Sequence, residues 1–372
     1  MKVKVSVLFL ILAVCLEQSG CAWLDSVTNA FGFTDTATVI AKTAQIRTSY
    51  AVVAADLLEV KRGDRLDITD QVDFEKVVWY RVRAHDDART EGWIEAQNII
   101  TSAVLDKSKR LSADFEGQLP QASGQLRAAS NLRLSPDMSP ENVLFKLGNG
   151  STFDIMSWKF VPKQEVPDVD DTKDEKQSKR TKNEEIEAAK DADEPDKLDD
   201  KYDIWYQVRL DPSVSPAPAG WLFGRQVELA VPSDISFFQQ NNRKFVTWAR
   251  LDAEAGATTT RATTPGSWVI LTRTNVVKAI DGVEPDFDGI LVLAFDKYDQ
   301  NYYTVWRTSG EVWGLLPLRL EGTGDNKTFT MKMRNADGKM DDKRFTVFKD
   351  KNRMKVTPPE DIAQYQSPAK TR

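Results

Sequence analysis

Apolar and polar positions alternate with a period of two along much of this chain, and one alternating pattern occurs twice. Residues 77–98 read VVWYRVRAHDDARTEGWIEAQN, and residues 204–226 read IWYQVRLDPSVSPAPAGWLFGRQ. Both stretches contain Trp-Tyr-x-Val-Arg, pass through a polar turn and resume with Gly-Trp and an aliphatic residue. A period of two is typical of a strand. Two such runs around a polar turn predict a β-hairpin in each stretch.

The alternation also assigns the side chains of each hairpin to two faces. The Tyr and Val of the motif share one face, which is predicted to be the buried one. The opposite face carries Trp79, Arg81, Arg83, Trp205 and Arg209, together with Gln207. Aromatic side chains beside guanidinium groups suit peptide or glycan ligands, so the first five of these residues are the predicted ligand-binding residues. The alternative is that the two tryptophans cover the open end of a small barrel and belong to its core.

The repeat extends upstream of the hairpins. Gln45–Thr48 and Asn131–Pro136 stand at matching places, and glycine-containing turns follow at residues 62–64 and 148–151. Four separated elements therefore recur in the same order. They resemble the bacterial SH3-like (SH3b) family, whose pattern runs Leu-Asn-Val-Arg-Ser-Gly-Pro, Gly-x-x-Val, Trp-Tyr-x-Val and Gly-Trp-Val.

This resemblance implies two tandem SH3-like small barrels, at residues 37–102 and 124–231. Residues 103–123 would connect them and are predicted to form one or two helical turns around Val104–Leu111. Some proteins of the family accompany peptidoglycan hydrolases. The resemblance therefore implies peptidoglycan or another envelope protein as the partner.

Residues 236–357 have a different pattern, with eight strand-like runs separated by polar turns that contain Gly or Asp. The runs are Phe245–Leu251, Trp268–Thr274, Ile290–Phe295, Tyr302–Trp306, Val312–Leu320, Thr328–Met333, Phe345–Phe348 and Met354–Val356. Clean alternation in several of them predicts antiparallel strands with one buried face. We expect an antiparallel β-barrel or β-sandwich, which makes the chain all-β. Residues 358–372 are predicted to be a flexible tail.

The second copy is interrupted by residues 164–200, which carry 15 Asp and Glu and seven Lys and Arg but no aromatic residue. Such a segment cannot bury enough apolar surface to offset its ordering entropy, so it is predicted to be a disordered acidic insertion. Its two ends are expected to lie together as neighbouring strands. The run Asp168–Asp171 could bind Ca²⁺, but it lacks the EF-hand spacing and glycine.

The N-terminus predicts export and lipidation. Residues 1–20 carry two lysines and then a short apolar run, which is typical of a secretory signal and too short for a spanning helix. The sequence Ser-Gly-Cys before and at Cys21 resembles the end of a lipobox, so Cys21 is the predicted lipidation site. The alternative is a plain secretory signal with an incidental cysteine. Residues 21–36 form either a tether or a short amphipathic helix.

Catalytic chemistry has few candidates. His85 is the only histidine, which argues against a Ser-His-Asp triad, a Cys-His pair and a multi-histidine zinc site. Asp286 and Asp288 flank Phe287 and could serve a carboxylate-dependent hydrolase, although turn-forming acids at a strand end have the same pattern. The net charge of −6 and the pI near 5.2 argue against a nucleic-acid binder. We predict no enzyme, no metal site and no cofactor.

Together these patterns predict a lipoprotein of the cell envelope, anchored to a membrane through lipid, on the outer membrane where the cell has one. Its predicted role is binding or scaffolding through the two repeats. Two alternatives come from other classes. One is a glycan hydrolase or lyase with its carboxylates in the C-terminal region, and the other is a carrier that holds a lipid-like ligand in a C-terminal barrel.

Overall fold

The computed structural model describes residues 35–163, 201–240, 242–252, 264–274, 276–323 and 326–362. The chain divides into two compact units, Met1–Lys107 and Ser108–Arg372. The described strands form antiparallel sheets, which confirms the predicted all-β class. The predictions for residues 1–34, including Cys21, and for residues 164–200 fall outside the described residues.

The first copy of the repeat forms one seven-stranded sheet. Its strands are β1 (Asp35–Val39), β2 (Thr43–Arg47), β3 (Asp56–Lys61), β4 (Arg65–Phe74), β5 (Val77–Ala84), β6 (Glu91–Glu95) and β7 (Ile99–Thr101). They lie in the order β3-β2-β6-β5-β4-β1-β7, and a 3₁₀ turn at Ala96–Asn98 precedes the last strand. The predicted hairpin is the pair β5–β6, in which Arg81 lies opposite Trp93.

Helix α1 (Ser102–Ala113) follows the first sheet and is longer than the one or two turns predicted from the sequence. Its sequence contains no Gly or Pro to stop it, and Leu105 and Ser108 lie three residues apart on one buried face. The Ser108 hydroxyl donates to the carbonyl oxygen of Ala219 at 2.5 Å and accepts from its N–H at 3.1 Å. These two hydrogen bonds hold the second half of the helix against the backbone of Ala219.

The second copy repeats the first sheet strand for strand. Its strands are β8 (Ala122–Leu126), β9 (Ser130–Arg133), β10 (Val143–Leu147), β11 (Thr152–Pro162), β12 (Tyr202–Arg209), β13 (Ala219–Phe223) and β14 (Val227–Leu229). The order is β10-β9-β13-β12-β11-β8-β14, again with a 3₁₀ turn, Gly224–Gln226, before the last strand. The N–H of Lys163 donates to the oxygen of Lys201 at 3.1 Å, so the ends of the insertion lie together as predicted.

The glycine of the Gly-Trp motif has a steric reason in both copies. A Cβ atom on Gly92 would lie 2.5 Å from the Arg47 oxygen and 2.6 Å from Ile46 Cγ2. A Cβ atom on Gly220 would lie 2.6 Å from Leu132 Cγ. A Cβ atom does not come this close to a non-bonded heavy atom, so the return strand can approach its neighbour this closely only at glycine.

The arginine of the upstream motif holds the loop that follows it. Arg47 donates from Nη2 to the carbonyl oxygens of Val52 and Ala54, both at 2.9 Å. In the second copy Arg133 donates to the oxygen of Ser139 at 2.8 Å. The motif arginine therefore satisfies loop carbonyls that lack a strand partner.

The C-terminal region contains all eight predicted strands. They are β15 (Lys244–Arg250), β16 (Trp268–Arg273), β17 (Gly289–Asp296), β18 (Asn301–Arg307), β19 (Gly314–Thr323), β20 (Asn326–Arg334), β21 (Met340–Asp350) and β22 (Arg353–Thr357). Strands β15–β18 form one antiparallel sheet and β19–β22 form another, each in sequence order.

The two C-terminal sheets share one core. Phe329 and Phe345 stack with ring centres 4.7 Å apart, and Trp306 packs against Phe345. Ile362 is 3% exposed and belongs to the same core, so the folded part extends beyond the predicted end at residue 357. Packed aromatic side chains occupy this space between the sheets, where the carrier hypothesis would put a ligand.

Gln121 joins the second copy to the C-terminal sheets. Its side chain is buried, donates from Nε2 to the oxygen of Leu318 at 3.3 Å and accepts from the Leu318 N–H at 2.7 Å. Its backbone oxygen accepts from the N–H of Trp248 at 3.4 Å. A buried amide with both ends bonded holds the second copy and these sheets in one arrangement.

Candidate ligand-binding cleft in the second unit

The hairpin β11–β12 carries three aromatic side chains on one surface. Trp158 and Phe160 lie two residues apart on β11, and therefore on the same face of that strand. Trp158 lies directly opposite Tyr206 on β12, and their rings meet edge to face with centres 6.1 Å apart. All three are half-buried, so this surface is neither core nor fully open.

Two charged residues of the C-terminal region hold these aromatic rings in place. The indole N–H of Trp158 donates to the carboxylate of Asp286. The guanidinium carbon of Arg273 lies 4.6 Å from the centre of the Phe160 ring, within the range of a cation–π interaction. Arg273 is 7% exposed and forms a salt bridge of 3.1 Å with Glu284. Trp158 and Phe160 therefore each contact a charged side chain from the C-terminal region.

The carboxyl group of Asp286, which lies at this surface, has a shifted pKa. Burial raises its pKa to about 6, because removal from water disfavours the ionised form. Three contacts oppose that shift, namely the hydrogen bond from the Leu316 N–H at 2.9 Å, the charge of Arg273 and the hydrogen bond from Trp158. The carboxyl group therefore changes its protonation state close to neutral pH.

A cleft of about 440 Å³ lies between the second copy and the C-terminal sheets. Its walls carry Trp158, Phe160 and Tyr206, with aliphatic side chains that include Ile204, Val231 and Val246. Its charged lining residues are Arg127, Glu228, Lys244, Arg273 and Asp286. The cleft thus combines aromatic and aliphatic side chains with charged groups, and a concave surface of this kind is a candidate ligand site.

The predicted exposure of the motif tryptophans is wrong. Trp79 is 6% exposed and Trp205 is 2% exposed, although alternation places both on the face opposite the valine as expected. The physical reason is that this face is covered as well. Trp205 packs on Phe223 with ring centres 5.2 Å apart, and Trp79 lies between Val72 and Glu95 on the two flanking strands.

The three predicted arginines are engaged in ion pairs rather than arranged around a shared opening. Arg83 lies 2.6 Å from Glu91, and Arg81 lies 3.5 Å from the same carboxylate. Arg209 pairs with Asp154 at 3.3 Å. None of the five predicted ligand-binding residues lines the cleft.

The acids of the alternative hydrolase do not share this cleft either. Asp286 lines it, but Asp288 does not. Asp288 is 2% exposed, and its Oδ2 accepts from the N–H and the hydroxyl of Thr274 at 2.7 and 2.6 Å. Asp288 therefore fixes the end of β16, which is the structural role considered as the alternative.

One alternating run outside the repeated motif carries two of the aromatic residues of the cleft. The run Trp158-Lys159-Phe160 alternates beside the insertion, and β11 pairs with the strand that carries Tyr206. Alternation alone places Trp158 and Phe160 together. Nothing in the sequence indicates that Arg273 and Asp286, more than 100 residues downstream, lie against them.

No protein-family model matches this chain, and no curated protein is significantly similar to it. Among the described residues, no group of three or more His, Cys, Asp or Glu side chains is arranged to hold a metal ion. A helix long and apolar enough to span a membrane is likewise not found in that part of the chain.

Proposed function

We propose that this protein is a lipid-anchored lipoprotein of the cell envelope that binds peptidoglycan, or another envelope protein, in the cleft of its second unit. We also propose that both repeats are SH3-like barrels. Two features support the second proposal: the strand order is the same in both sheets, and a 3₁₀ turn precedes the last strand of each.

The observation that carries the binding function is the fixed aromatic surface of the cleft. Trp158 and Phe160 each contact a charged side chain, so their rings lose little freedom when a ligand packs on them. Partly exposed aromatic side chains of this kind offer contact surface to sugar rings and peptide side chains. The first copy has Gln71 where the second has Trp158, so it lacks this surface.

A retention assay tests this function. Purified full-length protein in detergent is incubated with insoluble peptidoglycan and, separately, with an envelope extract. Trp158→Ala and Tyr206→Ala should reduce retention by about tenfold or more, because each removes a large contact surface. Gln71→Ala and Tyr80→Ala, at the equivalent positions of the first copy, serve as matched controls.

The assay has three possible outcomes. Loss of retention in the second-copy variants alone, with melting temperatures near that of the wild type, supports the cleft as the binding site. Wild-type protein that is retained by neither material overturns the binding function. Equal loss in the controls places the site outside the cleft.

The lipid anchor has its own test. Cys21→Ala should release the protein from membranes, since lipid chains on this residue would anchor it through buried CH₂ groups. Mass spectrometry of the wild type should find acyl chains on the N-terminal peptide. A variant that stays with membranes, together with a wild type that carries no acyl chain, contradicts lipidation.

A hydrolase is the second candidate, because Asp286 has a raised pKa inside an aromatic cleft. A general acid of a glycosidase needs a carboxyl group that is protonated near neutral pH. Asp286→Asn separates the two functions. Release of soluble glycan fragments by the wild type but not by this variant supports the hydrolase, whereas retention without any release supports the binding protein.

A further inference from the structure

Two cations that line the cleft have no acidic partner among the residues that the structure describes. Arg127 follows β8 and Lys244 begins β15, so they belong to different sheets, yet both line the cleft. Both side chains are exposed. In the described parts of the chain, no carboxylate oxygen lies within 4.0 Å of either side chain's nitrogen atoms. Among the same residues, the only hydrogen bond of the Arg127 guanidinium goes to the backbone oxygen of Val227 at 3.3 Å.

The acids of the cleft, by contrast, already have donors. Glu228 accepts from the amide of Gln125 at 3.1 Å. Asp286 accepts from Leu316 and from Trp158. The buried cation, Arg273, is paired with Glu284. The acids of the cleft thus have donors from the protein, whereas the exposed donors of Arg127 and Lys244 are open to acceptors of a ligand that replace water.

We infer that the ligand of this cleft is a carboxylate-bearing glycopeptide strand, bound with its sugar face against Trp158 and Tyr206 and its carboxylates at Arg127 and Lys244. This inference rests on the proposed binding function and names its chemical class. Guanidinium groups bind carboxylates in a planar, two-point geometry, while an ammonium acts as a point charge. A ligand with acidic groups next to an uncharged ring matches this arrangement of donors and aromatic rings.

The test compares two forms of one material. Insoluble peptidoglycan is divided, and in one half the carboxylates are converted to neutral amides with a carbodiimide and ammonium. Full-length protein in detergent should bind the amidated half about tenfold more weakly, since the charge pairs are lost. The double variant Arg127→Ala/Lys244→Ala should bind the intact and the amidated peptidoglycan equally. Its affinity for both should match the weak affinity of the wild type for the amidated material.

A matched variant controls for loss of charge. Lys61→Ala/Arg65→Ala removes two exposed cations from the first unit and should keep the preference of the wild type for carboxylates. All four positions are exposed, so melting temperatures should be nearly unchanged. Raising the salt concentration should weaken the wild type on intact material more than the Arg127/Lys244 variant.

The failures of the two proposals can be told apart. Equal binding of intact and amidated material by the wild type overturns the carboxylate class and leaves the binding function in place. No binding of either material overturns both. Polyglutamate and soluble glycopeptide fragments are also compared as competitors. If polyglutamate displaces the protein equally well, an acidic peptide alone suffices for binding, and the glycan part of the inference is overturned.

Discussion

The two copies of the repeat pair their central strands in the same register but carry different side chains there. In the first copy β4 and β5 place Gln71 opposite Tyr80, while in the second β11 and β12 place Trp158 opposite Tyr206. Gln71 is exposed, whereas Trp158 is half-buried in the cleft. The same backbone thus presents a polar surface in one unit and an aromatic surface in the other.

This difference indicates that most recurring motif residues serve the fold, and that the proposed binding surface depends on a position where the copies differ. Trp79 and Trp205 are buried, the glycines of Gly-Trp allow close approach of strands, and the upstream arginines hold loops. A feature required by both folds recurs whether or not both copies bind a ligand. Four predictions test this comparison.

The largest expected effect comes from the motif tryptophans. Trp79→Ala and Trp205→Ala should each lower the free energy of unfolding by about 3–5 kcal/mol, because truncation of a buried tryptophan removes apolar contacts and leaves a cavity. Calorimetry should show the loss in both variants. A Trp79→Ala protein that melts like the wild type would mean that the first copy does not use its tryptophan as the second does.

The next effect concerns the motif glycines. Gly92→Ala and Gly220→Ala should each cost about 1–3 kcal/mol, since the added methyl group overlaps backbone or side-chain atoms of the neighbouring strand. Gly148→Ala is the control, because a Cβ atom there meets nothing within 4 Å. Urea denaturation measures all three. If Gly92→Ala is as stable as Gly148→Ala, the glycine of the first copy does not have the steric role predicted for both copies.

A smaller effect, confined to the second unit, comes from the titration of Asp286. Its pKa is raised from 3.8 to about 6 in the folded protein, so the folded state binds more protons than the unfolded state between these values. The free energy of unfolding should therefore fall as pH rises through this window, by about 1–2 kcal/mol for a carboxyl group beside an open cleft, and then level off. In Asp286→Asn this component should be absent.

Urea denaturation between pH 4 and pH 7 measures that difference, as wild type minus Asp286→Asn at each pH. Tyr206→Ala, which keeps the carboxyl group, should retain the slope. A slope of the opposite sign in the difference would mean that the ionised carboxylate is stabilised in the fold, and that the charge of Arg273 outweighs burial.

The smallest effect tests the arginines predicted from the sequence. The hydrogen bond from Arg83 and its charge, with a smaller contribution from Arg81, lower the pKa of Glu91. Arg83→Ala should raise the pKa of Glu91 towards its ordinary value and leave the melting temperature nearly unchanged, because the pair is exposed. An NMR titration of the Glu91 carboxyl group reads this shift, and Arg81→Ala should give a smaller one.

Ligand retention by the same two variants completes the comparison between copies. Because Arg81 and Arg83 are paired with Glu91 and do not line the cleft, both variants should bind peptidoglycan like the wild type. Weaker retention in either variant would restore the first copy as a binding site.

The sequence by itself determined the strands and the repeat. Alternation with a period of two predicted the hairpins of both copies, because each of their strands has one face that must leave water, and short apolar runs between turns predicted the eight C-terminal strands. It also predicted that the ends of the insertion meet, since strand pairing requires residues on both sides of the gap to be neighbours. These features depend on local pattern, which a single sequence contains.

Only the tertiary structure decided which faces are covered and where the cleft lies. Alternation placed Trp205 on the face opposite Val208, but it could not show that Phe223 packs on that face. In the same way, the contacts of Asp286 with Trp158 and of Arg273 with Phe160 join segments more than 100 residues apart. Burial and pKa depend on such distant neighbours, and a periodic pattern along one strand contains no information about them.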